Sequence, residues 1–325
     1  LNWRSTVYQA ALMMTRRGVH HVIVVDAAGK LVGVISQDDI YELQSGGGKA
    51  ISGAIRNATD TESLVAIAAE IRRLAERMLS EGAAAEPLTA LISSLNDHLT
   101  TRLLELTQRE FDLPKTAWCW LSFGSEGRFE QTLSTDQDNG LLFAAAEADA
   151  DGMRARFLPF ARAVNERLAA CGFELCKGNI MASNPDLCRS LREWEDKFYQ
   201  LLNLGDPQAL LNATIYFDFR AIHGDESLAE ELRSWLLGLT GGAALFLRRM
   251  ADNALRVPPP LAMLRDFAFD KSEEFPHTVD LKASGSRLFV DVARILALAN
   301  GIGATSTIAR LRALAERGKL GRDAI

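Results

Sequence analysis

The chain has no surplus of positive charge. Its 325 residues carry 36 lysines and arginines against 42 aspartates and glutamates, a formal net charge of −6. A general nucleic-acid binder neutralises phosphates with a basic stripe, so that class is excluded. A single nucleotide needs only a few local donors and a metal, so it is not. No apolar run is long enough to span a bilayer, and no signal-peptide pattern opens the chain. The cysteines are few: Cys119, Cys171, Cys176 and Cys188 fit neither a C-x-x-C pair nor a zinc-finger frame. They read as free thiols in a reducing, cytoplasmic setting. A P-loop, a Gly-x-Ser-x-Gly elbow and a His-Glu-x-x-His motif are also missing. The first residue is Leu1 rather than Met, as expected of a piece of a longer polypeptide.

Apolar residues, at 48%, are plentiful enough to give two or three domains a core each. Val7, Ala10, Ala11 and Met14 recur at helical spacing. Val22–Val25 and Leu31–Ile35 are β-branched runs joined by a turn at Asp26–Gly29. Residues 46–58, rich in glycine and serine, read as a linker. Two helices follow, paired as an antiparallel hairpin. The first carries Leu64, Ile67, Ile71, Leu74 and Met78 on one face, with a Thr59/Glu62 capping box and Gly82 as its stop. The second carries Leu88, Leu91, Ile92, Leu95, Leu99 and Leu103. Trp118–Phe123 and Gly140–Phe143 read as strands, 157–171 as a helix, Asn184-Pro185 as the start of another helix through Phe198, and Thr214–Arg220 as a strong strand. Beyond Gly224 the pattern is helical, broken at Pro258–Pro260. Trp118, Trp120 and Trp194 lie on apolar patterns and are expected in the core, and His20-His21 at an exposed strand entry.

The chemistry concentrates between Gly124 and Asn139. A strand ends in Gly124-Ser125, and about ten residues on stand Asp136 and Asp138. Residues two apart on a strand point to one side, so both carboxylates can aim at one cation. Hard oxygens on one side suit Mg²⁺ (or Mn²⁺), which keeps its other positions for water and phosphate. Gly124 lets the backbone approach a phosphate, Ser125 offers a hydroxyl and an amide, and Arg128 a charged fork. A second Asp-x-Asp, Asp149-Ala150-Asp151, has no strand entering it and reads as a solvated loop. Two-metal chemistry calls for a third carboxylate. Asp218, a charge interrupting an apolar strand, is the candidate, with a salt bridge to Arg220 the other reading and Glu174 a weaker alternative.

This arrangement resembles the polymerase-β-type nucleotidyltransferase superfamily. The string GSEGRFEQTLSTDQDN is similar to a bacterial family of nucleotidyltransferases related to PII uridylyltransferase. In that family a cystathionine-β-synthase (CBS) module often precedes the head, and a helical substrate-binding domain follows it. Gln137 and Asn139 stand where the superfamily usually has apolar residues and match the narrower family. Thr278–Lys282 and Asp291–Arg294 resemble the family's C-terminal domain, and Gly33–Ile40 the second half of a CBS pair.

The resemblance implies a partial CBS module over 1–45, an α/β transferase head with its helical hairpin over 59–222, and a helical domain over 223–325. It implies transfer of a nucleoside monophosphate from a triphosphate (UTP or ATP) to a hydroxyl, with a protein side chain one acceptor. Lys282, Arg287 and Arg294 could reach the triphosphate or form ordinary helix-surface ion pairs, and Lys177, Asn179 and Asn184 lie in a loop matched to the family. Ser36 and Asp39 fall where CBS modules touch an adenine nucleotide, and the lone module reads as a nucleotide sensor or a dimerising scaffold. Its apolar run from Val22 to Ile35 predicts a homo-oligomer. An aminoglycoside-type small-molecule transferase and an inactive nucleotide sensor are the alternatives.

Overall fold

Asp26 closes the first hairpin: its carboxylate accepts from the N–H groups of Ala28 and Lys30 (both 2.9 Å), while Gly29 takes φ +80°. His21–Val25 (β1) and Leu31–Ser36 (β2) therefore pair antiparallel. The computed structural model describes residues 1–3, 5, 9–10, 13–14, 19–36, 47–133, 136–203, 214–256 and 277–321. Val7, Ala11, Asp39 and Pro258–Pro260 lie outside them. Val22 packs with Ala10 and Met14, whereas Ile23, Leu31, Val32 and Val34 are exposed, as are His20 and His21.

The expected linker is instead largely a helix, Gly48–Asn57 (α1). Ile51 and Ile55, four residues apart, bury on the hairpin that follows, and this packing outweighs the weak helix propensity of Gly53. In Thr61–Ser80 (α2) the cap falls one residue later than expected. Asp60 accepts from Ser63 N–H at 2.8 Å, and Thr59 donates its hydroxyl to Asp60. Gly82 at φ +80° ends the helix, and Ala85–Gln108 (α3) returns along it.

The head is built on a four-stranded sheet ordered β5-β4-β3-β6, from Trp118–Ser122 (β3), Asn139–Phe143 (β4), Cys188–Ser190 (β5) and Arg220–Gly224 (β6). Only the β4–β5 pair is parallel. Helix Ala150–Ala170 (α4) leads toward β5, and Leu191–Asn203 (α5) follows it. Alternation divides the strands between two cores. Trp118, Trp120, Leu141 and Phe143 pack with α1 to α4, while Cys119, Leu121, Phe123 and Leu142 pack with α5 and with Glu226–Thr240 (α6). The central strands are thus buried on both faces, and Trp118, Trp120 and Trp194 lie in the cores.

Three local readings change. Residues 188–190 form a strand rather than continuing a helix from Pro185. Asp149 and Asp151 open α4, where Asp151 pairs with Arg154. Thr214–Phe217 is a 3₁₀ turn, and the strand begins only at Arg220, opposite Ser122. That shift takes Asp218 out of the ladder and carries the sheet past the expected boundary at 222. The C-terminal region supplies Ala244–Ala254 (α7), Arg287–Ala299 (α8) and Thr307–Glu316 (α9). No helix among the described residues is long and apolar enough to cross a membrane.

Leu99 is fully buried where α3 meets the first core. Leu99→Ala is expected to cost about 2–5 kcal/mol, measured by urea unfolding at unchanged m-value.

Candidate active site

The site is fixed by backbone before side chains enter it. β3 ends at Ser122, and the N–H of the next residue, Phe123, donates to Asp138 O at 2.8 Å. The chain then makes one helical turn, Gly124–Gly127. Gly124 has φ +56°, and a Cβ there would stand 3.0 Å from Ile215 Cγ1 and 3.2 Å from Asp138 Oδ2. The Gly-Ser turn and the second aspartate therefore lie close together, and both left-handed backbone and close approach require glycine. Gly127 is still tighter: a Cβ would meet Asp218 O at 1.8 Å. Ser125 is half-buried on this turn.

Residues 136–139 run extended between two neighbours. Gln137 N–H donates to Glu174 O (2.8 Å), and Asn139 N–H to Ile180 O (3.1 Å). Asp136 is exposed and Asp138 half-buried, while Gln137 and Asn139 are buried. Burial pushes the Asp138 carboxyl up to about 6; Asp136 adds to the rise, and the Cys176 thiol, Lys282 and Arg128 oppose it. Lys282, exposed at the entry to α8, thus acts on the aspartate electrostatically from the C-terminal region.

The two intervening amides explain the departure from apolar flanks. Asn165, buried on α4, donates to Gln137 Oε1 (2.8 Å) and Asn139 Oδ1 (3.0 Å). Gln137 returns bonds to the carbonyls of Asn165 (2.9 Å) and Phe173 (3.0 Å). Asn139 Oδ1 also accepts from Ala182 N–H (2.8 Å), and Asn165 Oδ1 from Ser183 N–H (3.0 Å). The network ties the aspartate segment to α4 and to the loop that includes Asn179 and Asn184, whose own bond is Asn184 Nδ2 to Asn179 O at 3.0 Å. Lys177 is exposed in that loop. Sequence reading missed Asn165; its signal was a polar residue on the buried face shared by Ala161, Val164 and Leu168.

A divalent cation suits this donor set. Two carboxylates act on each other, one of them exposed, which is the sparse protein ligation that Mg²⁺ takes when phosphates and water complete its shell. Among the described residues no group of three His, Cys, Asp or Glu side chains is placed to hold a metal.

Residues 69–208 match the family described as putative nucleotidyltransferase DUF294, 244–325 its putative nucleotidyltransferase substrate binding domain, and 4–46 a CBS domain. The chain belongs to this CBS-linked nucleotidyltransferase family. No curated protein matches the chain.

In this nucleotidyltransferase head, Asp218 takes a different place from the one expected. It is fully buried, and both oxygens face guanidinium groups rather than the aspartate pair. Arg294 grips it twice (Nε–Oδ1 2.9 Å, NH2–Oδ2 2.5 Å), Arg128 NH1 donates to Oδ2 (2.6 Å), and Arg310 NH1 lies 2.7 Å from Oδ1. Arg294 also holds Asp291 at 2.5 Å, so it is a buried joint rather than a helix-surface pair. The metal-ligand reading of Asp218 is corrected accordingly: its lone pairs are engaged by protein cations. The salt bridge expected with Arg220 is corrected too. Arg220 instead pairs with Asp97 (2.7 Å), donates to Glu126 O (2.9 and 3.1 Å), and stacks 3.7 Å from the centroid of Phe129.

Arg128, expected on phosphate, has its fork on Asp218 and Glu130 (Nε–Oε2 2.7 Å), and Glu130 in turn accepts from Thr307 N–H at the start of α9 (2.6 Å). Glu174 is exposed and meets Asp136 through backbone. Arg287 makes the ordinary i,i+4 pair with Asp291. Glu126 is buried beneath the turn, and burial, then Asp97, pushes its carboxyl up to about 8.

Burial alone would raise the Asp218 pKa, but Arg294, Arg310 and Arg128 outweigh it and hold the carboxyl well below the usual range. Asp218→Asn should cost about 3–5 kcal/mol by leaving buried cations uncompensated. A depressed folded pKa gives stability that is full above the ordinary value of 3.8 and lost as pH falls through the folded value. The gap between wild type and variant in urea unfolding should therefore stay constant from neutral pH down to about pH 4 and shrink only below it.

Proposed function

We propose that the head transfers a nucleoside monophosphate from a nucleoside triphosphate to a hydroxyl acceptor with a divalent cation, Mg²⁺ or Mn²⁺, on Asp136 and Asp138. The observation that supports this reading is the closeness of Gly124 to Asp138, since a Cβ at Gly124 would stand 3.2 Å from Asp138 Oδ2. The acceptor oxygen attacks the α-phosphorus, the bond to the pyrophosphate oxygen breaks, and the hydroxyl proton is released. The Gly124-Ser125 turn would carry phosphate oxygens on backbone N–H and the Ser125 hydroxyl, with Lys282 adding positive charge from the C-terminal domain. A bound cation would acidify the attacking hydroxyl and neutralise the leaving pyrophosphate. UTP or ATP is the donor, and a protein side chain, as in PII uridylylation, the acceptor. The engagement of Asp218 by arginines favours one second reading, a head that binds nucleotide without turning it over.

Asp136→Asn is expected to lower pyrophosphate release at least about 10²-fold. Its fold should stay intact and its stability level or slightly higher, because a repelling carboxylate is removed. Full activity with unchanged metal dependence would contradict the proposal, and wild-type protein that binds nucleotide but releases no pyrophosphate with any acceptor would favour the second reading.

For the CBS module we propose a role in assembly. Ile23 and Val34 are register partners, and with Val32 they leave an apolar face of the hairpin exposed. A second copy of this chain would cover it. Ser36, half-buried at the end of β2, remains the residue offered to an adenine nucleotide. Sedimentation should show a dimer for the full chain and a monomer for Val34→Lys; a wild-type monomer would contradict this.

A further inference from the structure

A cleft with a volume of about 630 Å³ lies between α1 and α3, and neither Asp136 nor Asp138 lines it. Its floor is apolar: Ile55 from α1, and Leu91 and Leu95 from α3. Its rim carries the cations Lys49 and Arg56 on α1 and Arg102 on α3, with the imidazole of His98 beside them. The acid on this rim, Glu105, is already paired with Arg102 at 2.7 Å. Arg102 is held in place by two bonds to Ala58 O (3.0 and 2.8 Å). Arg56 is exposed and makes no ion pair among the described residues. The size is that of a small-molecule site, and an apolar floor under a positive rim selects a body with one apolar face and a negative group.

We infer that this cleft binds a small organic anion, one anionic group on a flat or aliphatic body, and that occupancy bears on the Gly124–Gly127 turn. The link is α3 itself, which serves both sites with adjacent residues. Leu95, His98 and Arg102 face the cleft. Between them Asn96 donates to Gln131 Oε1 (3.3 Å) and Asp97 holds Arg220, and just before them Ser93 Oγ accepts from Gln131 N–H (3.2 Å). Arg220 in turn holds the carbonyl of Glu126 inside the turn. A ligand that shifts or stiffens the α1–α3 pair therefore acts on residues that brace the turn. The ligand-binding half of the inference does not depend on the proposed transfer reaction.

The test uses the full chain and the probe 8-anilinonaphthalene-1-sulfonate, which has an apolar body and one negative charge. Fluorescence titration should saturate at one probe per chain. Arg56→Glu and Lys49→Glu should each weaken it about tenfold, which is 1.4 kcal/mol. The uncharged N-phenyl-1-naphthylamine should bind more weakly than the sulfonate, and Val34→Lys, on the exposed hairpin, should leave sulfonate affinity unchanged. Charge reversals without effect, or loss of binding in Val34→Lys, would overturn the site. Hydrogen exchange with saturating probe should slow in peptides covering 93–99 and 123–131. Unchanged exchange in 123–131 would overturn the link to the turn.

Discussion

The site depends on four residues of extended chain. Between Asp136 and Asn139 the backbone is bonded to the end of β3 on one side and to Glu174 and Ile180 on the other. A strand held on both edges cannot rotate, so alternation becomes absolute. The Asp138 carboxylate stands by the glycine turn with Asp136 exposed beside it, and the amides of Gln137 and Asn139 point into the protein. Two buried amides would be costly if left unmatched. Asn165, with its own four hydrogen bonds to this segment and to Ser183, meets that cost and also fixes register. Burying the backs of the aspartates in polar bonds rather than apolar packing gives the carboxylate side a more rigid base.

A second constraint joins the head to the C-terminal region. Three arginines from the Gly-Ser turn, α8 and α9 converge on Asp218, with Asp291 and Glu130 balancing the remaining charge. Such a cluster contributes little net stability compared with an apolar core, but it fixes the mutual position of the elements that supply it. Glu130 extends the joint by accepting from the first turn of α9. Lys282 stands at the entry to α8, so the joint also sets how close its charge comes to Asp138. The Gly124–Gly127 turn is braced from the other side by Arg220 and Asp97, whose helix also lines the cleft beside α1.

Much of this was legible in the sequence because local pattern and tertiary need agreed. The strand ending in Gly124-Ser125, the paired aspartates, the two long helices and the Asp26–Gly29 turn follow from periodicity and turn chemistry alone. The misreadings fall where long-range partners decided. Gly53 sits in a helix because Ile51 and Ile55 find a core. Phe217 and Phe219 carry strand propensity, yet the ladder starts at Arg220 because β3 pairs there and Asp218 is claimed by arginines from distant parts of the chain. Arg128 looked free for phosphate because its partners lie 2 and 90 residues away, the second invisible to any local window. Gln137, Asn139 and Asn165 were readable only as departures from an apolar pattern.

The central claim is that Asp136 and Asp138 hold a divalent cation beside the Gly124-Ser125 turn. Mn²⁺ binding followed by electron paramagnetic resonance tests it without reference to turnover. With a non-hydrolysable triphosphate present, wild-type protein should remove free Mn²⁺ signal with one-to-one or two-to-one stoichiometry, and the Asp136→Asn, Asp138→Asn double variant should not. Equal Mn²⁺ uptake by the double variant would contradict the account.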